Sequence, residues 1–279
     1  MTKTVLITGC SSGFGKTCAA LFAARGWNVI ATMRRPEAFD DSALAALDNV
    51  LIARLDVQDP AGIAAAVAAG IARFGRIDTL INNAGYGLFG IFESTPGEKI
   101  AEQFGVNVFG VMNVTRALLP HFRTNGGGTI LNISSGAGVF TLPMLSMYCA
   151  SKFALEGFSE ALSYELLSQN IVVKIVEPGG VLSTSFGDRS GQEAAANAAI
   201  DDYADFSANT LEVFAGLRGQ RLASEQDVAE VIYAAATDGT PRLRYVATDD
   251  IRPLVEARRG SSEEAYIELM RSRFMGGPA

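Results

Sequence analysis

The chain alternates between short runs of β-branched and other apolar residues and longer stretches rich in alanine and leucine. The short runs lie at residues 5–8, 28–32, 50–55, 79–82, 129–133, 172–176 and 244–247. Within them polar and apolar positions do not alternate, which predicts strands covered on both faces. The longer stretches predict helices at 15–25, 60–74, 98–123, 148–168 and 225–236. Strands and helices in turn predict an α/β fold, a parallel sheet with helices on both sides. No linker or repeat separates these units, so residues 1–279 are expected to form a single domain. One interval breaks the rhythm. Residues 182–223 carry no strand signal and mix small, acidic and apolar positions, and such an excursion is expected to serve as a substrate lid.

Composition narrows the function. Of 279 residues 48% are hydrophobic and 19% charged, a balance that supports a sizeable core and excludes a largely disordered chain. The richest apolar run, 61–72, is flanked by Asp59 and Arg73 and falls short of the roughly 18 residues a membrane span needs. No charged leader precedes the first strand, so the expected location is the cytoplasm. With 23 basic against 30 acidic residues the net charge is −7, a poor match to nucleic acid. Three cysteines (Cys10, Cys18, Cys149) without a CxxC pair, and a single histidine, His121, exclude a disulfide framework and a cysteine- or histidine-rich metal centre. His121 falls near a helix end, where a cationic side chain is favoured.

The first strand runs into Thr8-Gly9-Cys10-Ser11-Ser12-Gly13-Phe14-Gly15 and then a helix. Glycines let backbone approach a pyrophosphate, and free N–H groups at the helix start favour its charge. Here the spacing is GxxxGxG, distinct from the commoner GxGxxG. The second strand ends Ala31-Thr32-Met33-Arg34-Arg35, without the acid that would bind an adenosine ribose. A guanidinium suits a 2′-phosphate, so Arg34 favours NADP(H), with NAD(H) still open. Asp56 and Val57 end the third strand, where a carboxylate meets an adenine amino group or simply caps a turn. Asn83, Ala84 and Gly85 end the fourth, on the sheet edge where such folds bind ligands.

Tyr148 and Lys152 stand at i and i+4 of a predicted helix and so address one site. A phenol titrates near 10, and a nearby ammonium lowers that value, which makes Tyr148 a usable acid or base for an alcohol/ketone pair. Ser135, at the end of the fifth strand, is placed to hold a substrate oxygen, with Ser134 the alternative. Asn107 sits inside a helical pattern that does not favour asparagine, which implies a polar purpose such as holding a water.

Together Thr8 to Gly15, Asn82 to Gly85, Asn107, Ser135, Tyr148, Lys152 and Pro178-Gly179 resemble the short-chain dehydrogenase/reductase pattern, in order and along nearly the whole chain. The resemblance implies a single Rossmann-like doubly wound sheet of seven strands ordered 3-2-1-4-5-6-7. It implies that Asn107, Ser135, Tyr148 and Lys152 act together, with Tyr148 as acid/base. Lys152 would bind the nicotinamide ribose, and Val181 with Ser183 or Thr184 would hold the carboxamide. It also implies a homodimer or homotetramer packed through the two long helices, with Phe104, Val108, Val111, Leu118, Phe158 and Leu162 as interface or core. The GxxxGxG turn speaks against epimerases and dehydratases, which resemble GxxGxxG, and four intact site residues speak against a mere dinucleotide sensor.

Ile7 to Gly13, Ala31 to Arg34, Tyr148 to Gly157 and Leu243-Arg244-Tyr245 look more narrowly like the type 1 17-beta-hydroxysteroid dehydrogenase and retinol dehydrogenase branch, which acts on bulky apolar alcohols. No histidine stands in the lid to clamp a steroid oxygen. The expected substrate is a small apolar alcohol or ketone, contacted by residues among Tyr86, Leu88, Val139, Phe140, Leu142, Met144, Leu145 and Phe186. The tail, with arginines at 252, 258, 259, 271 and 273 among glutamates, reads as a mixed solvated surface.

Overall fold

A computed structural model describes residues 2–181, 200–218 and 223–275. Seven strands, β1 (Thr4–Thr8), β2 (Asn28–Met33), β3 (Val50–Arg54), β4 (Thr79–Asn82), β5 (Gly128–Ile133), β6 (Ile171–Glu177) and β7 (Arg244–Val246), form one sheet. All neighbours are parallel and the order is β3-β2-β1-β4-β5-β6-β7, as the resemblance implied. The order reverses between β1 and β4, and the crevice at that switch point is where such sheets hold ligands.

Successive strand residues point to opposite faces, so each strand feeds two cores. Val5 and Ile7 pack with Phe22 of helix α1 (Gly13–Ala24) and with Val228 and Ile232 of a late helix, Glu225–Thr237. Leu6 and Ile30 face α3 (Pro60–Phe74) through Ile63 and Val67, after the short α2 (Ser42–Ala45). Asp59 caps α3 by accepting from the Ala61 N–H, and Gly75 ends it with φ +79°.

The stretch 98–123 is not one regular helix. It is α4 (Gly97–Phe104), a six-residue π-helical turn (Gly105–Gly110) and α5 (Val111–Thr124). A Cβ on Gly105 would lie 2.4 Å from Gln58 Nε2 and one on Gly110 2.5 Å from Val57 Cγ2, so the wide turn presses on the loop after β3. His121 does sit in the last turn of α5, where Nε2 accepts the Ile77 N–H at 3.0 Å. Next comes α6 (Ser146–Leu166). Val108, Val111, Leu118 and Leu162 are buried within this chain, whereas Phe109 and Phe153 stand exposed on the same elements.

Of the expected lid, 182–199 and 219–222 lie outside the described residues, and between them runs α7 (Ala204–Arg218). The helix Glu225–Thr237 is α8, and the tail adds α9 (Arg252–Gly260) and α10 (Glu263–Met275). The tail's arginines and glutamates are exposed or half-buried, as expected, but its helices also carry an apolar side that the charge pattern did not show. Tyr266, Met270 and Phe274, spaced one turn apart, are buried against Val139, Phe140 and Leu254.

Lys174 is buried in β6, donating to the Ala235 carbonyl at 2.7 Å, to Asp238 at 2.5 Å and to the Tyr245 hydroxyl at 3.2 Å. Burial works against the Asp238 carboxylate, but Lys174, Tyr245 and Thr240 outweigh it and hold Asp238 well below the usual carboxylate range. Asp238→Asn strands a buried ammonium and should cost about 3 kcal/mol in urea unfolding. With its folded pKa depressed, Asp238 stabilises above its unfolded value, 3.8, and that increment disappears as pH falls below it. An equal acid sensitivity in wild type and variant would refute this.

Candidate active site

The first strand delivers its turn to the crevice. Gly9 has φ +75° and Gly13 φ +58°, conformations that a side chain resists. A Cβ on Gly15 would sit 2.2 Å from the Gly9 carbonyl oxygen, so α1 begins hard against the turn. Asn83 locks the turn from the neighbouring strand, its Nδ2 donating to the carbonyls of Thr8 (2.9 Å) and Gly9 (3.1 Å). Thr8 answers, its Oγ1 accepting the N–H groups of Asn83 and Ala84, both at 3.0 Å. The sequence places Thr8 at the head of the turn but assigns its hydroxyl no role. Ser11 and Ser12 are exposed at the turn, and Phe14 packs half-buried on the core.

Past β2, Arg34 and Arg35 are exposed, and neither side chain forms an ion pair or hydrogen bond among the described residues, while the Arg35 carbonyl accepts the Ala38 N–H at 3.2 Å. Asp56, half-buried after β3, accepts the Gln58 N–H at 3.0 Å, while Val57 is buried. Asp56 therefore caps a turn, leaving its other oxygen for a ligand.

Asn107, on the π-helical turn, is 1% exposed. Its Oδ1 accepts the Tyr86 N–H at 3.1 Å, and its Nδ2 donates to the Tyr86 carbonyl at 2.9 Å and to Ser151 Oγ at 3.2 Å. Ser151 in turn donates to the Tyr148 carbonyl at 2.8 Å, which ties the amide to α6. Gln103, missed from sequence, donates to the same Tyr86 carbonyl at 2.6 Å. A Cβ on Gly85 would meet Asn107 Oδ1 at 3.2 Å and Lys152 Nζ at 3.8 Å, so these two polar ends converge beside Gly85.

Ser135 follows β5 and accepts the Ala137 N–H at 3.1 Å, and its hydroxyl lies on the side of the Tyr148 phenol, where it opposes the effect of burial. Ser134 instead faces inward, beside Glu156, so of the two serines only Ser135 meets the tyrosine. Lys152 Nζ donates to the Ile133 carbonyl at 2.8 Å and lies 5.8 Å from the Tyr148 ring centroid. The electrostatics correct one expectation. Burial, not Lys152, dominates the phenol and pushes it up to about 12, while the neighbouring Ser135 works the other way. Burial likewise pulls Lys152 down to about 8, against the opposing charge of Glu156.

Pro178 is buried, and its carbonyl accepts the Gly136 N–H at 2.9 Å. Thr248 Oγ1 and Asp250 Oδ2 accept the N–H groups of Gly179 and Gly180, each at 2.9 Å, and so pin the turn that leads to Val181. Only turn chemistry after β7 could have flagged those two. Ser183, Thr184 and Phe186 lie outside the described residues. Of the expected substrate contacts, Val139 and Phe140 belong to the core under the tail, and Leu145 packs on Tyr148. Met144, at φ +59°, lines a groove of about 400 Å³ with Gly90, Ile91, Phe92, Glu93, Ser146, Tyr203 and Phe206.

Among known proteins, the 17-beta-hydroxysteroid dehydrogenase type 1 of Mus musculus is 35% identical over 282 residues, spanning 95% of this chain and 80% of that protein. A short-chain dehydrogenase from Streptomyces avermitilis has a solved structure similar at TM-score 0.80 and 34% identity, covering 92% of this chain and 93% of that one. A serine dehydrogenase complexed with NADP+ matches at TM-score 0.73 and 28% identity, covering 88% of this chain and 94% of that one. A Burkholderia phymatum short chain dehydrogenase/reductase in complex with NAD matches at TM-score 0.77 and 26% identity, covering 100% and 96%. The family model for short chain dehydrogenases matches residues 3–194. With that match added to the sheet order and the glycine turn, the chain belongs to the short-chain dehydrogenase family of oxidoreductases.

Proposed function

We propose that this protein is an NADP(H)-dependent oxidoreductase that interconverts a secondary alcohol and a ketone on an apolar substrate. The observation that carries the reading is the buried Tyr148 phenol, with Ser135 beside it and Lys152 one helical turn further along.

A dinucleotide fits the first turn, because a Cβ at Gly15 would fill the cradle formed with Gly9 and because α1 starts there with open N–H groups. Ser11, Ser12, Gly13 and Phe14 would line the pyrophosphate, Arg34 would meet a 2′-phosphate and Asp56 with Val57 the adenine. Asn83, Ala84 and Gly85, then Pro178, Gly179, Val181 and Thr184, would flank the nicotinamide half. When bound, the cofactor supplies or takes up a hydride. In reduction Tyr148 gives its proton to the carbonyl oxygen that Ser135 orients, and in oxidation it takes one back. Lys152 holds positive charge beside that exchange, and Asn107 fixes the Tyr86 backbone in the loop after β4 that borders it. A phenol pushed up to about 12 is protonated at pH 7 and so holds the proton that reduction requires. Ile91, Phe92, Met144 and Phe206 give the neighbouring groove its apolar lining.

Similar proteins hold NAD in one case and NADP+ in another, so the preference is argued from Arg34 and from the absence of an acid after β2. The test follows reduced-nicotinamide absorbance with NADPH and NADH across aliphatic, aromatic and steroid ketones. Turnover with NADPH is expected. Arg34→Ala should weaken NADPH by about 10- to 100-fold and leave NADH nearly unchanged. Equal losses with both cofactors would remove Arg34 from phosphate recognition, and cofactor binding without turnover on any ketone would favour a sensor.

A further inference from the structure

Behind the Tyr148–Lys152 pair lies a group of buried charges that the proposed chemistry does not use. Lys152 is 6% exposed, and its neighbours toward the crevice are Tyr148, Asn107 and the Ile133 carbonyl, none of them anionic at neutral pH. One turn further along α6 stands Glu156, also buried. Its Oε2 accepts from Arg244 Nε of β7 at 2.9 Å, and the Ser134 hydroxyl lies beside it. Arg244 also reaches Glu160 at 2.5 Å and lies 3.7 Å from Glu177, the fully buried end of β6. Arg259 of α9 donates to Glu177 Oε1, the same oxygen that Arg244 approaches, at 2.5 Å. A Cβ on Gly138 would strike Ser134 Oγ at 2.7 Å and Glu156 Cγ at 3.0 Å, so a glycine there keeps room for this carboxylate.

Three carboxylates (Glu156, Glu160, Glu177) face two guanidiniums (Arg244, Arg259), which leaves one negative charge in excess. Glu160 is partly exposed and screened, so the buried share of that excess falls on Glu156 and Glu177. A buried carboxylate pair is costly unless it serves something. An ammonium in a water-poor site needs a counter-charge, and Glu156 stands next to it on the same helix face.

We propose that Glu156 is a positioning residue for Lys152. Its carboxylate, seated by Arg244 and backed by the Glu177–Arg259 pair, keeps the buried lysine charged and donating to the Ile133 carbonyl. This rests on the reading of Lys152 as a member of the site. Burial alone drags the lysine toward neutrality, and Glu156 is the group that opposes that drag.

The chain has five lysines, few enough for each to be followed by NMR of ¹³Cε-labelled lysine in the full-length protein, with Lys152→Met assigning the signal. Lys152 is expected to titrate near 8. In Glu156→Gln its midpoint should fall by about one pH unit, with Lys3, Lys16, Lys99 and Lys174 unmoved. In the loaded enzyme the alkaline limb of kcat/KM should shift acid by the same amount, with KM for the ketone unchanged and with Glu156→Asp restoring most of the profile. Glu177→Gln removes charge from the same cluster without touching α6 and should lower the midpoint by a smaller amount, which covers the case that Glu156→Gln does not fold. An unmoved Lys152 midpoint in whichever variant folds overturns the proposal. Because the midpoint is read without turnover, an inactive wild type would count against the oxidoreductase reading and not against the link from Glu156 to Lys152.

Discussion

Tyr148→Phe is expected to lower kcat about a thousand-fold while NADPH affinity stays as in the wild type. General acid/base transfer by a positioned side chain is worth about 10²- to 10⁴-fold, and phenylalanine removes the transferable proton while keeping the ring packed on Ala137, Cys149 and Leu145. The fold should be untouched. Loss of a single buried hydroxyl, with Ser135 still satisfied by the Ala137 N–H, changes stability by about 1 kcal/mol at most. The pH dependence has a definite sign. Burial pushes the phenol up to about 12, so the phenolate fraction grows with pH across the neutral range. Alcohol oxidation, which needs the phenolate, should accelerate with pH, and ketone reduction, which needs the phenol, should not. A variant that retains a tenth of wild-type kcat would move the proton transfer to another group.

The complementary result concerns Gly15. A Cβ there lies 2.2 Å from the Gly9 carbonyl oxygen and 2.5 Å from Asn83 Nδ2, and two of the three nearest atoms are backbone. Gly15→Val should therefore push α1 off the turn and break the Asn83 bonds to Thr8 and Gly9. NADPH binding should weaken at least about a hundred-fold, with a stability loss of about 1–3 kcal/mol from overpacking. Calorimetric titration and urea unfolding read the two effects separately. Tight NADPH binding by a folded Gly15→Val protein would place the dinucleotide elsewhere, whatever Tyr148→Phe does.

Strands β1, β2, β4, β5 and β6 were legible because their apolar runs are buried on both sides, whereas the edge strands β3 and β7 are mostly half-buried. Helix 60–74 was legible to the residue, since Asp59 and Gly75 mark its ends chemically. The tail was not. Its apolar stripe at 266, 270 and 274 is interleaved with arginine and glutamate, and the cavity that receives it is built by Val139 and Phe140, more than a hundred residues away. At the site, residue types and order pointed to Asn107, Ser135, Tyr148 and Lys152 as a group. The choice of Ser135 over Ser134 needed the strand's facing, and the high phenol pKa needed the packing around it, neither of which residue spacing encodes.

The wide turn at Gly105–Gly110 is a phase change written into a helix. One extra residue per loop of backbone advances everything after it by roughly 100°, so α4 and α5 obey two different wheels although they share one axis. Asn107 lies at the splice and belongs to neither wheel, which frees its amide to grip both sides of the Tyr86 peptide. Shortening the chain by a single residue between Gly105 and Gly110 would bring the two halves into step, and the amide would swing out of the grip without any change of residue at 107. Length, as much as identity, is what this part of the chain has to keep.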